Sequence, residues 1–436
     1  MPEKVQRNII AFIYSTTDEA IRIIKSHHFK GIENPEIAII GDSKLHTWKK
    51  KAKEKKVDHI ITVDFDKPLN IAKQLQPYQD RLAVIVCRTE SKMRLLAKVL
   101  PHVPYLKTPT VDSLHWISNK IAMRRRLRMA DKKINPRFLV VHDDKNASIK
   151  KIMEKVTLPV VLKPTTLAAS LYVTPCYHEE ELRKSLSRMM KQIKRHHKML
   201  KLADEPEVLV EEMMEGVMYS IDAYVTSRGG LYFCPMVHIK TGRSIGFDDF
   251  FGYQQICPPL LRKESIDEAK RVASTAIHAL GLRSVTAHVE LMKTEHGWKI
   301  IEVAGRVGGF RHYMYENSFG FSHTLNDIRV RVPEKPIINR KRKGYTAAMK
   351  FFAEKEGELT KLTGLKKAEK LESFVRLLKR KKIGEKCRFA KHGGKSVFEI
   401  ILFNKERSRL LSDIRRLEQM VVIEVKNGNG KKKRKK

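Results

Sequence analysis

Cysteine, aromatic side chains and acidic residues are all scarce in this 436-residue chain. Its five cysteines, Cys87, Cys176, Cys234, Cys257 and Cys387, are scattered without paired spacing. That argues against a disulfide framework or a zinc site and for buried, reduced thiols. Aromatics make up 7% and do not track the basic runs, so the rings interleaved with cations that mark a specific nucleic-acid surface are missing. No apolar run approaches bilayer length, and Met1-Pro2-Glu3-Lys4 starts no signal peptide, so the expectation is a soluble, cytoplasmic protein with no membrane partner. No G-x-G-x-x-G follows the first strand-like run, which removes the dinucleotide fingerprint. No Ser/His/Asp or Cys/His arrangement offers an activated nucleophile.

What is abundant is positive charge. Lysine and arginine number 87 against 49 acidic residues, a formal net charge of +38. The excess is spread over the whole length, from Lys49-Lys50-Lys51 and Arg124-Arg125-Arg126 to Lys379–Lys382 and the Lys431–Lys436 tail. Such a field attracts anionic ligands, and nucleic acid non-specifically. A hydrophobic content of 42% excludes wholesale disorder, and the length suits two or three domains.

Along residues 7–110 strand-like runs (8–14, 36–41, 59–63, 82–87) alternate with helical ones, which predicts a parallel α/β sheet in a first domain over 1–112. Arg88-Thr89-Glu90-Ser91 closes the fourth strand at a cleft edge or caps the next helix with Thr89 or Ser91. A helical stretch over 113–129 carries Lys120, and Ser118-Asn119 suits a helix restart. A second domain is expected over 113–332, then a small α+β unit over 333–425 and a disordered basic tail over 426–436.

The chemistry-bearing pattern lies in the second domain. Val289-Glu290-Leu291-Met292 and Lys299-Ile300-Ile301-Glu302-Val303 are short apolar runs split by a hairpin-like Thr294-Glu295-His296-Gly297. Adjacent antiparallel strands would bring both carboxylates to one surface, as a hard divalent cation requires. Gly305-Arg306-Val307-Gly308-Gly309 follows, a cation among glycines where backbone can approach an anion. Upstream, Val160-Val161-Leu162-Lys163 reads as a buried strand closing on a lysine, which is costly unless the lysine meets an anion. Val208 to Gly216 is an apolar strand ending in acidic residues. A metal site beside an anion site points to phosphate chemistry.

In this order the elements resemble the ATP-grasp superfamily of carboxylate–amine ligases, most closely its bacterial L-amino acid ligases, which form dipeptides. The likeness covers about residues 85–330 well and the C-terminal hundred loosely. It implies an ATP-grasp fold with a parallel α/β domain before it and a C-terminal α+β cap. The implied cofactors are ATP and Mg²⁺ or Mn²⁺. Lys120 and Lys163 would be the phosphate lysines, with Ser170 at the end of the phosphate loop. Glu211, Glu212, Met213 and Met214 would form the hinge that meets adenine, and Glu290 and Glu302 would hold the metal. Arg306 would sit over the reacting carboxylate or acyl phosphate. The partners implied are a small carboxylate and an amine, and a homo-oligomer is compatible.

Three departures stand out. The loop Thr165–Ser170 lacks glycine, Met218 replaces the glutamate that grips ribose, leaving Glu215 or Asp222 to substitute, and Ala304 replaces a metal-binding asparagine. They keep two alternatives open, a degenerate nucleotide-binding scaffold and a ligase acting on a protein substrate.

Overall fold

The computed structural model describes residues 6–45, 47–164, 173–200, 207–246, 250–332, 334–388 and 395–426, with side chains of 196–200 excluded. Ser170 with the rest of its glycine-poor loop, Phe247 to Asp249, Phe389 and the basic tail from 427 on lie outside the described residues. The N-terminal region alternates as expected: β1 (Ile9–Ile13), α1 (Asp18–Lys25), β2 (Glu36–Asp42), α2 (Thr47–Glu54), β3 (His59–Val63), α3 (Pro68–Leu75), β4 (Leu82–Val86) and α4 (Met93–Val99). The strands pair in parallel in the order β3-β2-β1-β4. Every residue of β1, Ile9-Ile10-Ala11-Phe12-Ile13, is buried, as a strand covered on both faces requires.

The helical stretch around Lys120 is two helices, α5 (Val111–Ser118) and α6 (Lys120–Ala130). Asn119 separates them with an extended backbone, and its side chain accepts the Ile121 and Ala122 N–H groups at 3.0 Å each. This N-cap restarts the helix and makes Lys120 its first residue.

A second sheet, antiparallel throughout, contains β5 (Phe138–Val141), β6 (Val160–Pro164), β7 (Thr174–Cys176) and β8 (Val208–Glu212) in the order β5-β8-β6-β7. Ile149 and Ile152 of α7 (Asn146–Lys155) and Leu182, Leu186 and Met190 of α8 (Glu179–Leu200) pack on its Val160, Leu162, Val208 and Val210.

Among the described residues the central sheet has nine strands. These are β9 (Val217–Val225), β10 (Leu231–Phe233), β11 (Val237–Thr241), β12 (Gly252–Cys257), β13 (Val285–Thr294), β14 (Gly297–Ala304), β15 (Tyr345–Phe351), β17 (Phe374–Arg380) and β19 (Phe398–Asn404). Their order is β14-β13-β9-β11-β12-β15-β19-β17, with β10 beside β9. Helix α9 (Lys263–Ala279) packs on one face, and α10 (Arg311–Phe319) with α11 (His323–Arg329) on the other. A three-stranded sheet of β16 (Gly357–Thr363), β18 (Lys386–Cys387) and β20 (Val422–Lys426), with α12 (Leu365–Ala368) and α13 (Arg407–Met420), completes the C-terminal region.

The structure revises the expected boundaries. The segment after residue 333 is α+β in content, but β15, β17 and β19 extend the central sheet. Its first pairing runs from Gln254↔Met349 to Cys257↔Thr346. The N-terminal sheet shares a core with the rest: Ile9, Ala11 and Ile13 belong with Leu114 and Ile117 of α5 and Ala287, Val289 and Leu291 of β13. All five cysteines are free and buried, and no helix among the described residues is long and apolar enough to cross a membrane. The helix-cap expectation for Thr89 and Ser91 fails: the helix after β4 opens with no side-chain cap, and Arg88 and Glu90 reach other elements instead.

Arg88 makes the main ionic link from β4 to α11. The Asp327 carboxylate, 1% exposed, accepts from Arg88 Nε at 3.4 Å, Arg331 Nη1 at 2.7 Å and Thr286 Oγ1 at 2.7 Å. Burial pushes its pKa up, but Arg331 and Arg88 outweigh burial and hold it at about 2. A depressed carboxylate stabilises the fold fully above its unfolded pKa, about 4, and less as pH falls toward the folded value. Asp327→Asn strands two buried guanidiniums and is expected to lower stability by about 3–5 kcal/mol at pH 7. Urea unfolding across pH should show that deficit shrinking between pH 4 and pH 2. A variant as stable as the wild type at neutral pH would contradict this assignment.

Candidate active site

The expected carboxylate pair forms because β13 and β14 are a hairpin in the right register. Glu290 sits directly opposite Glu302, and on the other side of β13 it faces Ser220 of β9. Ser220, Glu290 and Glu302 make one row across three strands, and Asp222, His288 and Ala304 make the next on the same face. The turn from β8 into β9 needs Gly216 at φ +149°, where a Cβ would lie 2.2 Å from the Lys293 carbonyl oxygen.

Cations converge on the first row. Lys120, at the start of α6, places Nζ 3.6 Å from Glu302 Oε1. Arg306 pairs with Glu90 from the N-terminal region, so a residue beyond β4 completes the site. The two facing carboxylates have diverged electrostatically. Burial raises the Glu302 pKa, with Glu90 and Glu290 adding to it against Lys120. Burial also opposes ionisation of Glu290, but His288, Arg306 and Arg311 hold its pKa down. No cluster of three or more His, Cys, Asp or Glu suited to a metal occurs among the described residues. Two strand-borne carboxylates, one strained by the other's charge, fit a Mg²⁺-type ion that takes its remaining ligands from phosphate and water.

Lys163 and the acidic strand also meet. Lys163 Nζ lies 2.6 Å from Glu211 Oε2, and Glu211 Oε1 receives Arg124 Nε at 2.5 Å. Arg124 further donates to the Ile300 and Ile301 carbonyls at 2.9 and 2.7 Å, tying α6 to β14. Burial opposes ionisation of Glu211, but Arg124 and Lys163 hold its pKa at about 2. This geometry refines the hinge. The Glu211 side chain is 2% exposed and committed to cations, so it does not face an adenine. The Glu212 carboxylate takes Arg137 Nε at 2.7 Å and Lys299, and its own N–H donates to the Arg137 carbonyl. The Met213 N–H donates to the Pro159 carbonyl at 3.0 Å. Met214 is half-buried and Glu215 exposed at the strand end.

Asp222 does not substitute for a ribose-gripping residue. It is fully buried, accepting from His288 Nδ1 at 2.7 Å, His323 Nε2 at 2.9 Å and the Gly308 N–H at 2.9 Å. His323 Nδ1 in turn lies 2.5 Å from the Tyr224 hydroxyl, and His288 Nε2 3.4 Å from Glu290 Oε1. A Cβ on Gly308 would lie 2.6 Å from His288 Nδ1, so the glycine lets the Arg306 loop close onto this hub.

A family model for the ATP-grasp domain matches residues 156–313, the span holding Lys163, the β8 strand end, both glutamates and Arg306. Over this part of its length the chain is an ATP-grasp domain. Among curated proteins it is 26% identical over 306 residues to the alanine–anticapsin ligase of Bacillus amyloliquefaciens, covering 66% of this chain and 62% of that protein. It is 29% identical over 170 residues to the ligase of the same name from Bacillus subtilis strain 168, covering 36% and 35%. The chain thus spans less than two thirds of these relatives' lengths. In fold it matches an L-amino acid ligase from Bacillus licheniformis with a TM-score of 0.77 at 15% identity, covering 97% of this chain and 100% of that one.

Several site residues carry little signal in the sequence. Arg124 sits within a diffuse basic run, although its place four residues after Lys120 puts both on one helix face. His288, His323 and Arg311 carry no local pattern; only the three-dimensional pairing joins them, and it brings Glu90, at the strand end read as a cleft edge, to Arg306. The Glu211 ion triad gives a direct test. Glu211→Gln leaves two buried cations without their counter-ion and should cost about 3–5 kcal/mol in chemical denaturation. Glu212→Gln, whose Arg137 partner is exposed, should cost about 1–2 kcal/mol. Equal costs would contradict the difference in burial.

Proposed function

We propose that this chain is an ATP-dependent ligase that joins a carboxylate, an amino acid, to an amine through an acyl phosphate. The observation that carries the reading is the row of Glu290 and Glu302 ringed by Lys120 and Arg306, inside an ATP-grasp domain. The names of the matched relatives, ligases of alanine and of L-amino acids, support the same class.

In this reading Lys120 and Lys163 hold the ATP phosphates and Glu290 with Glu302 hold Mg²⁺ or Mn²⁺. A bound ion supplies charge neutralisation for phosphoryl transfer. Met214 and Glu215, at the exposed end of β8, and Ser170 complete the nucleotide site. Arg306 meets the substrate carboxylate with a planar guanidinium, which can form two parallel hydrogen bonds. A carboxylate oxygen attacks the γ-phosphorus and ADP leaves. The amine then attacks the acyl carbon, the C–O bond to phosphate breaks, and phosphate leaves with the proton shed by the amine. Fixed donors and cations do this work, so no nucleophilic side chain is needed.

One observation favours a non-catalytic nucleotide-binding protein as the second reading: Lys163 is already neutralised by Glu211. A screen of amino-acid pairs scored by ATP-dependent phosphate release separates the two, because a scaffold binds nucleotide and releases none. Glu290→Gln and Glu302→Gln are each expected to cut that release about 100-fold or more with the melting midpoint retained. Full Mg²⁺-dependent release by Glu302→Gln would reject the metal assignment. Arg306→Lys should reduce amide formation far more than ATP affinity, and equal small losses in both would leave Arg306 without its role.

A further inference from the structure

Two histidines share the Asp222 carboxylate, and they lead to different places. Asp222 is 0% exposed, His288 of β13 5% and His323 of α11 1%. His323 gives Nε2 to Asp222 Oδ2 at 2.9 Å and turns Nδ1 to the Tyr224 hydroxyl at 2.5 Å, in the core beneath α10. His288 gives Nδ1 to Asp222 Oδ1 at 2.7 Å and turns Nε2 to Glu290 Oε1 at 3.4 Å. One ring ends in the core and the other at the carboxylate pair.

The bond to His288 is the one hydrogen bond that Glu290 makes among the described residues, and it uses Oε1 and leaves Oε2. The terminal torsion of a glutamate is broad, and the charge of Glu302 directly opposite would turn a freely rotating carboxylate away from the pair. The ring is itself held on its other side. Asp222 Oδ2 accepts the Gly308 N–H at 2.9 Å, and a Cβ on Gly308 would lie 2.6 Å from His288 Nδ1. The loop that carries Arg306 therefore rests against the ring, and one carboxylate holds both. Stability alone does not call for this arrangement, because an apolar core of similar volume is often as stable as a buried set of charges. What the set adds is a chain of bonds that runs from the core out to Glu290.

Resting on the metal assignment in the reading above, we propose that His288, oriented by Asp222, is a positioning residue that fixes the Glu290 carboxylate for a divalent cation and sets it relative to the Arg306 loop. His288 touches neither cation nor substrate in this account; it acts through Glu290, as groups bonded to a metal ligand do.

The test uses the full-length protein and needs no turnover. Mn²⁺ is titrated into the protein with ADP, and the bound ion is followed by electron paramagnetic resonance. In His288→Asn the side-chain amide stands in for Nδ1 and keeps the bond to Asp222, while nothing replaces Nε2. This variant is expected to weaken Mn²⁺ binding about 10- to 100-fold. Its metal-free ADP affinity, its melting midpoint and the hydrogen exchange of the peptide spanning Gly305 to Gly309 should stay close to wild-type values. In His288→Gln the amide reaches the Nε2 position instead. Most Mn²⁺ binding should return there, with a lower melting midpoint because Asp222 has lost a donor. Wild-type Mn²⁺ affinity in His288→Asn, or losses of affinity that follow the melting midpoint through both variants, would overturn the positioning role and leave the ligase reading standing. If the wild type binds Mn²⁺ no better than Glu290→Gln and Glu302→Gln do, the metal assignment itself fails and takes this role with it.

Discussion

Everything in the site follows from holding two carboxylates opposite each other at half-buried positions of one sheet. Glu290 and Glu302 repel, and burial makes the repulsion more costly than it would be at a surface. A fold can keep such a pair only by surrounding it with cations, by leaving one carboxyl short of full ionisation, or by taking up a metal ion. This structure shows the first two: Lys120 and Arg306 stand around the pair, and the Glu302 pKa is raised. The need for cations then dictates what surrounds them. Lys120 must start a helix at the right point, which Asn119 arranges as an N-cap. Arg306 must be oriented, which Glu90 does from the N-terminal region.

The same rule, that buried charge is kept only when paired, explains how the regions are joined. Arg124 ties α6, β8 and β14 through Glu211 and two carbonyls. Arg88 ties β4 to α11 through Asp327. In a chain with a formal charge of +38, acidic residues are the scarce component, and the structure places several of them where two cations converge. The diffuse basic excess seen in the sequence is thus partly an internal framework and not wholly a solvated surface.

Much of this is legible in the amino-acid sequence. Period-two runs and turn signals locate β13 and β14 and the acidic pair they carry, and the Asn119 restart follows from capping chemistry. The parallel N-terminal sheet follows from strand–helix alternation. What is not legible depends on pairing between distant segments. Arg124 looks like its basic neighbours until the sheet closes over it, and Asp222 looks like one polar residue of an alternating strand until two histidines and the Gly308 N–H converge on it. The polar strand β16 and the half-exposed β17 lack an apolar stripe, so periodicity marks neither. The C-terminal region reads as a separate unit because the link before Tyr345 is rich in charge, while the register of β15 on β12 that joins it to the sheet leaves no local mark.

The most direct test of the central claim follows an oxygen atom. A carboxylate substrate labelled with ¹⁸O at both carboxylate oxygens is incubated with ATP, Mg²⁺, an amine acceptor and the protein, and the released phosphate is examined by mass spectrometry. If this site activates a carboxylate as an acyl phosphate, each inorganic phosphate carries one ¹⁸O and appears in step with ADP and amide. Amide formed with unlabelled phosphate, or with AMP as the nucleotide product, would contradict the account.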